Sequence, residues 1–242
     1  MTDTAAVERL IREAQAFIFD LDGTLYDIRW FALRLVLASP REASVILAER
    51  RTRKGLSGCD YGSPDAYFTE FFSRMSLIAK KPANTLRAWY FNRYIPRMCG
   101  ILRSNYRPRP GAAELFVALT QQAFPFAVYS DYPQAAERLS ALGLDPGRGK
   151  LYGPEHFGAQ KPAARPFASI AADLKVPPDR TLVIGDKDGA DGAGATAAGM
   201  GYIGIRSRTR QKAPYPSLGW TSFTVLCRKK FGLFGLSSSV SS

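Results

Sequence analysis

The sequence predicts an α/β protein, a doubly wound parallel sheet interrupted after its first strand by an all-helical cap. Three observations predict it. Short unbroken apolar runs alternate with helix-spaced segments, residues 28–108 lack that alternation, and three of the runs end on a chemistry-bearing polar residue.

Taken in order, Ala16-Phe17-Ile18-Phe19 is short, continuous and aromatic-rich, the pattern of a strand buried on both faces. Residues 124–129, 181–185 and 201–205 repeat that pattern. Helical spacing fills the intervals at 112–122 after Pro110-Gly111, at 134–142 up to Gly143, at 163–174 before Pro177-Pro178, and at 190–198 up to Gly199. In sheets of this kind the chemistry gathers beyond the carboxyl ends of the strands. Between the first and second runs, segments 29–38, 42–53, 64–79 and 83–103 carry helix-like apolar spacing, and Ser63-Pro64-Asp65 reads as a helix start. The sheet resumes afterwards. Residues 28–108 are therefore expected to be an inserted cap, with 1–27 and 109–242 forming the core. Two short junctions, near 26–28 and 108–111, would let the cap open and close. The chain ends in an expected short strand at 218–220, a helix near 223–230, and a Ser-rich end expected to be disordered.

At 242 residues, 46% hydrophobic and 22% charged, the chain is long enough for one large core with an insertion. Cys59, Cys99 and Cys227 lack CxxC spacing, which argues for reduced thiols and against a disulfide framework or a zinc site. Asp3, Glu8 and Glu13 interrupt the N-terminus, and no apolar run is long enough to span a bilayer. The expectation is a cytoplasmic protein without a signal peptide. The net charge of +12 is unevenly spread: residues 28–108 hold fifteen Lys/Arg against five Asp/Glu, and residues 201–242 hold seven against none. Such regions favour anionic partners or simply serve solubility.

The first strand runs into Asp20-Leu21-Asp22-Gly23-Thr24-Leu25-Tyr26-Asp27. Strand alternation projects Asp20 and Asp22 together, and Gly23 permits a tight turn beside them. Carboxylates held that close share a cation or a proton. Magnesium, a hard ion bound through oxygen, answers the first need; a protonated carboxyl acting as an acid answers the second. A calcium-binding or helix-capping loop is the alternative for this segment alone. The second run ends in Ser130-Asp131, a hydroxyl and a backbone N–H suited to a phosphate oxygen, although Ser-Asp also caps helices. Lys161, before Pro162, could neutralise both phosphoryl oxygens and aspartates. The third run ends in Gly185-Asp186, with Asp191 five residues on.

In this order, the strand-terminal Asp-x-Asp-Gly-Thr, strand-Ser, Lys-Pro and strand-Gly-Asp-x-x-x-x-Asp resemble the haloacid dehalogenase superfamily, from Phe17 to about Ile205. The resemblance implies a Rossmann-like core, a helical cap between the first and second motifs, and a magnesium-dependent phosphatase. Asp20 would be the nucleophile and form an aspartyl-phosphate, and Asp22 the general acid and base. Magnesium would be held by Asp20, the carbonyl of Asp22, Asp186 and Asp191. Ser130, the N–H of Asp131 and Lys161 would hold the phosphoryl oxygens of a small phosphorylated substrate. Two residues depart from the family pattern: Asp131 where Asn is usual, and Lys187 where a small hydroxyl residue is usual.

A phosphomutase would use the same aspartates. A module binding nucleic acid or protein through its basic cap is the reading from another class, and the set Asp20, Asp22, Lys161 and Asp186 argues against it. His156, the single histidine, is expected to pack in the loop before Lys161. Tyr67, Phe68, Phe71 and Phe72 are expected to be cap core, and Arg50-Arg51-Thr52-Arg53-Lys54 a solvated helix end.

Overall fold

In the computed structural model, which describes residues 4–206 and 214–232, six strands form one sheet in the order β3-β2-β1-β4-β5-β6, each neighbouring pair parallel. They are β1 (Ala16–Phe19), β2 (Phe126–Tyr129), β3 (Lys150–Tyr152), β4 (Thr181–Gly185), β5 (Gly201–Ile205) and β6 (Ser217–Leu218). Alternation along the strands divides the core in two. Phe17, Phe19, Phe126, Val128, Leu182 and Ile184 face one cluster; Ala16, Ile18, Ala127, Tyr129 and Val183 face the other. Helices α1 (Thr4–Glu13), α7 (Ala112–Gln121), α8 (Ala135–Leu142) and α12 (Trp220–Phe231) feed the first cluster. The short α9 (Pro154–Phe157), α10 (Ala164–Leu174) and α11 (Ala193–Ala197) feed the second. Helices on both faces of a parallel sheet make the fold doubly wound.

Three elements escaped the sequence reading: strand β3, helix α1 and the four-residue α9. Strand β3 is three residues at a sheet edge with an exposed Lys150, so it presents no apolar run. Helix α1 buries only Val7 and Ile11 among its ten residues. The expected strand at 218–220 starts one residue earlier and stops at Leu218, because Trp220 opens α12 and seats its indole against the Pro110 carbonyl at 2.9 Å. The Ser-rich end lies outside the described residues. All three cysteines are free, and no helix among the described residues is long and apolar enough to cross a membrane.

Between β1 and β2 stand α2 (Phe31–Leu37), α3 (Ala43–Gly55), α4 (Pro64–Ala79), α5 (Ala83–Trp89) and α6 (Ile95–Asn105). A π-helical turn, Tyr90–Tyr94, joins the last two. Pro96 lacks an N–H and its ring crowds the carbonyl four residues back, which the wider turn relieves. Ser63 caps α4 by accepting from the Ala66 N–H at 3.2 Å. Tyr67, Phe68, Phe71 and Phe72 are buried on α4, and Phe71 packs against Tyr90 with ring centres 5.4 Å apart.

Besides the packing of α6 on α8 and of α4 on α9, polar contacts join the insertion to the core at three places. Tyr26 and Pro108 bridge antiparallel where the chain leaves and returns. Arg109 ties that junction by donating to the carbonyls of Thr24 at 2.9 Å and Gly23 at 2.8 Å. Asp60 and Ala159 form a second bridge, with Gly58 N donating to Lys161 O and Gln160 N to Cys59 O, both at 3.0 Å. The third contact is made by Arg53, which an ion pair within the insertion holds in place. On α3, Glu49 is fully buried, paired with Arg53 one turn on and accepting from the Tyr94 hydroxyl at 2.9 Å. Arg53 also donates to the Asp131 carbonyl at 2.6 Å and lies 3.9 Å from the Tyr132 ring centre.

Removing one partner of a buried ion pair leaves an uncompensated charge. Arg53→Met should therefore cost on the order of 3 kcal/mol in urea denaturation, and adding Glu49→Gln should recover much of it. A loss as small as that of a surface pair would contradict this account of the contact.

Candidate active site

Adjacent strands β2, β1 and β4 end at one edge of the sheet, and each is followed by a chemistry-bearing residue: Ser130, Asp20 and Asp186. Strands in a sheet lie about 4.8 Å apart, so residues far apart in sequence become neighbours. Lys161 arrives from the loop between α9 and α10. Asp191 arrives from a π-helical turn, Asp188–Gly192, and accepts from the Lys187 N–H at 3.1 Å.

The buried Lys161 ammonium joins these groups. It donates to Asp20 Oδ1 at 2.8 Å, to Asp191 Oδ1 at 2.7 Å and to the Tyr129 carbonyl at 2.9 Å, using all three of its protons. Burial alone would pull its proton off, but Asp191 and Asp20 hold it on, so Lys161 stays charged. The other oxygen of Asp20 accepts from the Thr24 hydroxyl at 2.8 Å. Burial pushes the Asp20 carboxyl up, against the pull of Lys161.

Asp22 is placed differently. Its Oδ1 accepts from the Tyr26 hydroxyl at 2.6 Å and from Arg138, a fully buried residue of α8; its Oδ2 accepts from the Ser130 hydroxyl at 3.0 Å. Burial would raise this carboxyl, yet Arg138, with hydrogen bonds from Arg138 and Tyr26, holds it below the ordinary aspartate value. Asp131 turns its carboxylate to the Lys161 N–H at 3.0 Å, and burial raises it despite Lys161. His156, expected to pack in a loop, is instead an exposed residue of the short α9, its Nδ1 accepting from the Gly153 N–H at 3.2 Å.

Among the described residues, Asp20, Asp186 and Asp191 each offer one carboxylate oxygen within 4.8 Å of the others. The side chain of Asp22 is not in that group. Lys161 partners Asp20 and Asp191, but Asp186 Oδ1 is buried with no hydrogen-bond partner. Burial and the nearby Asp20 push the Asp186 carboxyl up to about 7. The backbone makes room for this crowding. Gly23 has φ +102°, and a Cβ there would collide with the Asp186 carboxylate; a Cβ on Gly185 would collide with that of Asp191. An all-oxygen donor set with one orphaned buried oxygen fits a hard divalent cation.

Above these groups lies a cavity of about 700 Å³, lined from the core by Asp22, Asp131, Tyr132, Lys161 and Lys187 and from the insertion by α3 and Phe31. The basic run at 50–54 closes α3 with Arg50, Arg51 and Lys54 exposed, the expected solvated helix end, while Arg53 turns inward to Glu49. Leu47, Arg50, Arg51 and Lys54, spaced i, i+3, i+4 and i+7, line the cavity along one stripe of α3. Lys187, where the sequence departs from pattern, also opens on the cavity; burial works against its charge, but Asp20, Asp186 and Asp22 hold its proton on.

The site thus brings together Asp20, Asp22, Ser130, Asp131, Lys161, Asp186 and Asp191. Sequence reasoning missed Thr24, Tyr26 and Arg138. The first two sit four residues beyond the aspartates they bond, a spacing visible in the motif. Arg138 left a fainter mark: an arginine in the apolar stripe Ala135, Leu139, Leu142 of α8.

Residues 14–199 match the family model described as haloacid dehalogenase-like hydrolase. The chain is 25% identical over 205 residues to a glyceraldehyde 3-phosphate phosphatase from Methanothermobacter thermautotrophicus, covering 80% of this chain and 86% of that one. It is 28% identical over 199 residues to an N-acetylmuramic acid 6-phosphate phosphatase from Pseudomonas aeruginosa, covering 78% and 83%. The fold resembles the magnesium-bound HAD-hydrolase YfnB from Bacillus subtilis, with a TM-score of 0.59, 19% identity, and coverage of 88% of this chain and 98% of that one. With its match spanning most of the sequence, the chain belongs to the haloacid dehalogenase-like hydrolases.

Proposed function

We propose that this protein is a magnesium-dependent phosphomonoester hydrolase acting on a small phosphorylated metabolite through an aspartyl-phosphate on Asp20. The observation that carries this reading is the placement of Asp20. It stands at a strand end between Lys161 and Thr24, beside two further carboxylates, and its partner Lys161 lines the cavity beside the insertion. Both sequence relatives carry phosphatase names for small phosphorylated substrates.

Asp20, the backbone carbonyl of Asp22, Asp186 and Asp191 would hold magnesium, which when bound supplies positive charge to the phosphoryl oxygens. The rest is the work of side chains. A carboxylate oxygen of Asp20 attacks phosphorus while Asp22, having taken the proton carried by the phosphate monoanion, passes it to the departing ester oxygen. Asp22 then takes a proton from the water that attacks phosphorus, releasing inorganic phosphate and restoring Asp20. Ser130, the Asp131 N–H and Lys161 meet the phosphoryl oxygens as charge builds on them. Residues 28–108 act as the cap that excludes water and reads the remainder of the substrate. The stripe Arg50, Arg51 and Lys54 suits a substrate bearing negative charge beyond the transferred group.

Magnesium should raise the melting temperature of the protein and a chelator should abolish phosphatase turnover. Asp186→Asn, which removes a crowded charge, should raise the melting temperature without metal while erasing the gain from magnesium. Turnover that persists without any divalent ion would refute the metal assignment. Asp20→Asn should eliminate activity, and Asp22→Asn should slow it by roughly a hundredfold. Mass spectrometry of the quenched wild type should place the phosphoryl group on Asp20, and a label elsewhere would contradict the scheme. Neutralising Arg50, Arg51 or Lys54 should change the preference among phosphorylated metabolites by about tenfold while hydrolysis of a minimal phosphate ester changes little. Equal losses on every substrate would make the stripe structural.

A further inference from the structure

Arg138 is out of place by every packing criterion. It lies on the stripe of α8 formed with Ala135, Leu139 and Leu142, and its side chain is fully buried. Its Nε finds no acceptor, so the position forfeits hydration that it does not fully recover. A leucine or methionine would fill the space without that cost. What the arginine provides is a fork. Nη2 donates to Asp22 Oδ1, and Nη1 donates to Ser130 Oγ at 2.8 Å. One side of the guanidinium meets the Tyr132 ring at 5.1 Å, and Tyr132 in turn carries Arg53 of the insertion at 3.9 Å.

The fork decides where one proton goes. Ser130 Oγ already accepts from Arg138 and from the Tyr132 N–H at 3.1 Å, and its own hydrogen reaches Asp22 Oδ2 at 3.0 Å. The other oxygen of Asp22 is occupied by Tyr26 and Arg138. The hydroxyl meant for a phosphoryl oxygen and the carboxyl meant for a leaving group are therefore bonded to each other. A phosphoryl oxygen arriving at Ser130 competes for that hydrogen and frees Asp22 Oδ2 to take the proton that a phosphate monoanion carries and pass it to the leaving group.

We propose that Arg138 is a positioning residue that parks Asp22 against Ser130, so that binding of the phosphoryl group at Ser130 releases Asp22 toward the leaving group. This role rests on the phosphatase reading and on Asp22 as the acid. Arg138 acts through Asp22 and Ser130, without touching the reacting atoms.

The test uses leaving groups that differ in their need for a proton. Dinitrophenyl phosphate departs without protonation, whereas an alkyl phosphate requires it. For Arg138→Lys and Arg138→Met, kcat on the alkyl ester should fall at least about tenfold more than kcat on the dinitrophenyl ester, with KM for the two esters moving in parallel. Guanidinium ion added to Arg138→Ala should restore part of the alkyl activity. Equal loss on both esters would overturn the proposal and make Arg138 part of the phosphate site or of the fold. Arg138→Met leaves the Asp22 carboxylate buried without its partner and could fail to fold, so the same change is also made with Asp22→Asn. In that background Arg138→Met should leave the alkyl-to-aryl ratio within about twofold of Asp22→Asn alone, because the coupled residues act as a unit. A further drop of tenfold would overturn the role. A wild-type protein that hydrolyses neither ester refutes the phosphatase reading itself, a result distinct from leaving-group-independent loss.

Discussion

Four carboxylates, those of Asp20, Asp22, Asp186 and Asp191, reach one edge of one sheet, and their repulsion is the constraint that the surrounding residues answer. Each answer is local and different. Asp20 and Asp191 share the three-pronged Lys161. Asp22 takes Arg138 and two hydroxyls. Asp186 receives no hydrogen bond on Oδ1, and its carboxyl is the one driven to about 7. At separations of a few ångströms, like charges away from bulk water interact by several kcal/mol at an effective dielectric of about 20. Two ammonium groups, those of Lys161 and Lys187, do not balance three carboxylates, so the charge count at this edge is left open on the side of Asp186. That imbalance, more than any single distance, is what a divalent cation matches.

The topology explains why these groups could be gathered at all. Placing β1 between β2 and β4 brings together residues separated by more than a hundred positions, without any loop having to be shaped for the purpose. The insertion leaves and rejoins the chain just after Asp20 and Asp22, at the same edge, so it cannot avoid lying over the site. Helix α7 then makes the return to the start of β2. The acidic edge and the insertion over it are consequences of one connection.

Much of this was legible in the sequence, for identifiable reasons. Strands covered on both faces carry unbroken apolar runs, so β1, β2, β4 and β5 and the aspartates that follow β1 and β4 stood out. Strand β3, at the edge, and α1, with two buried side chains, had little apolar signal to give. The basic run of α3 is a solvated helix end, as expected, but charge alone does not say that this face also borders a cavity; only tertiary placement shows Arg50, Arg51 and Lys54 there. Arg138 was hidden for a related reason. Its partners, Asp22 and Ser130, are 116 and 8 residues away, and the pairing exists only once α8 packs across the strand ends.

The unusual Asp131 then has a physical explanation. Its carboxylate does not point at the phosphoryl position but accepts the Lys161 N–H, while its carbonyl accepts Arg53 from the insertion. Bonded on both sides, residue 131 fixes the segment that presents Ser130 against the segment that presents Lys161. The second attachment of the insertion, through Gly58 and Cys59, lands on Lys161 and Gln160. Both of these contacts therefore end on the two stretches of backbone that would hold a phosphoryl group. Nothing in the insertion can shift far at either point without disturbing Ser130 or Lys161, so the seating of the cover and the shape of the anion site are set by the same hydrogen bonds.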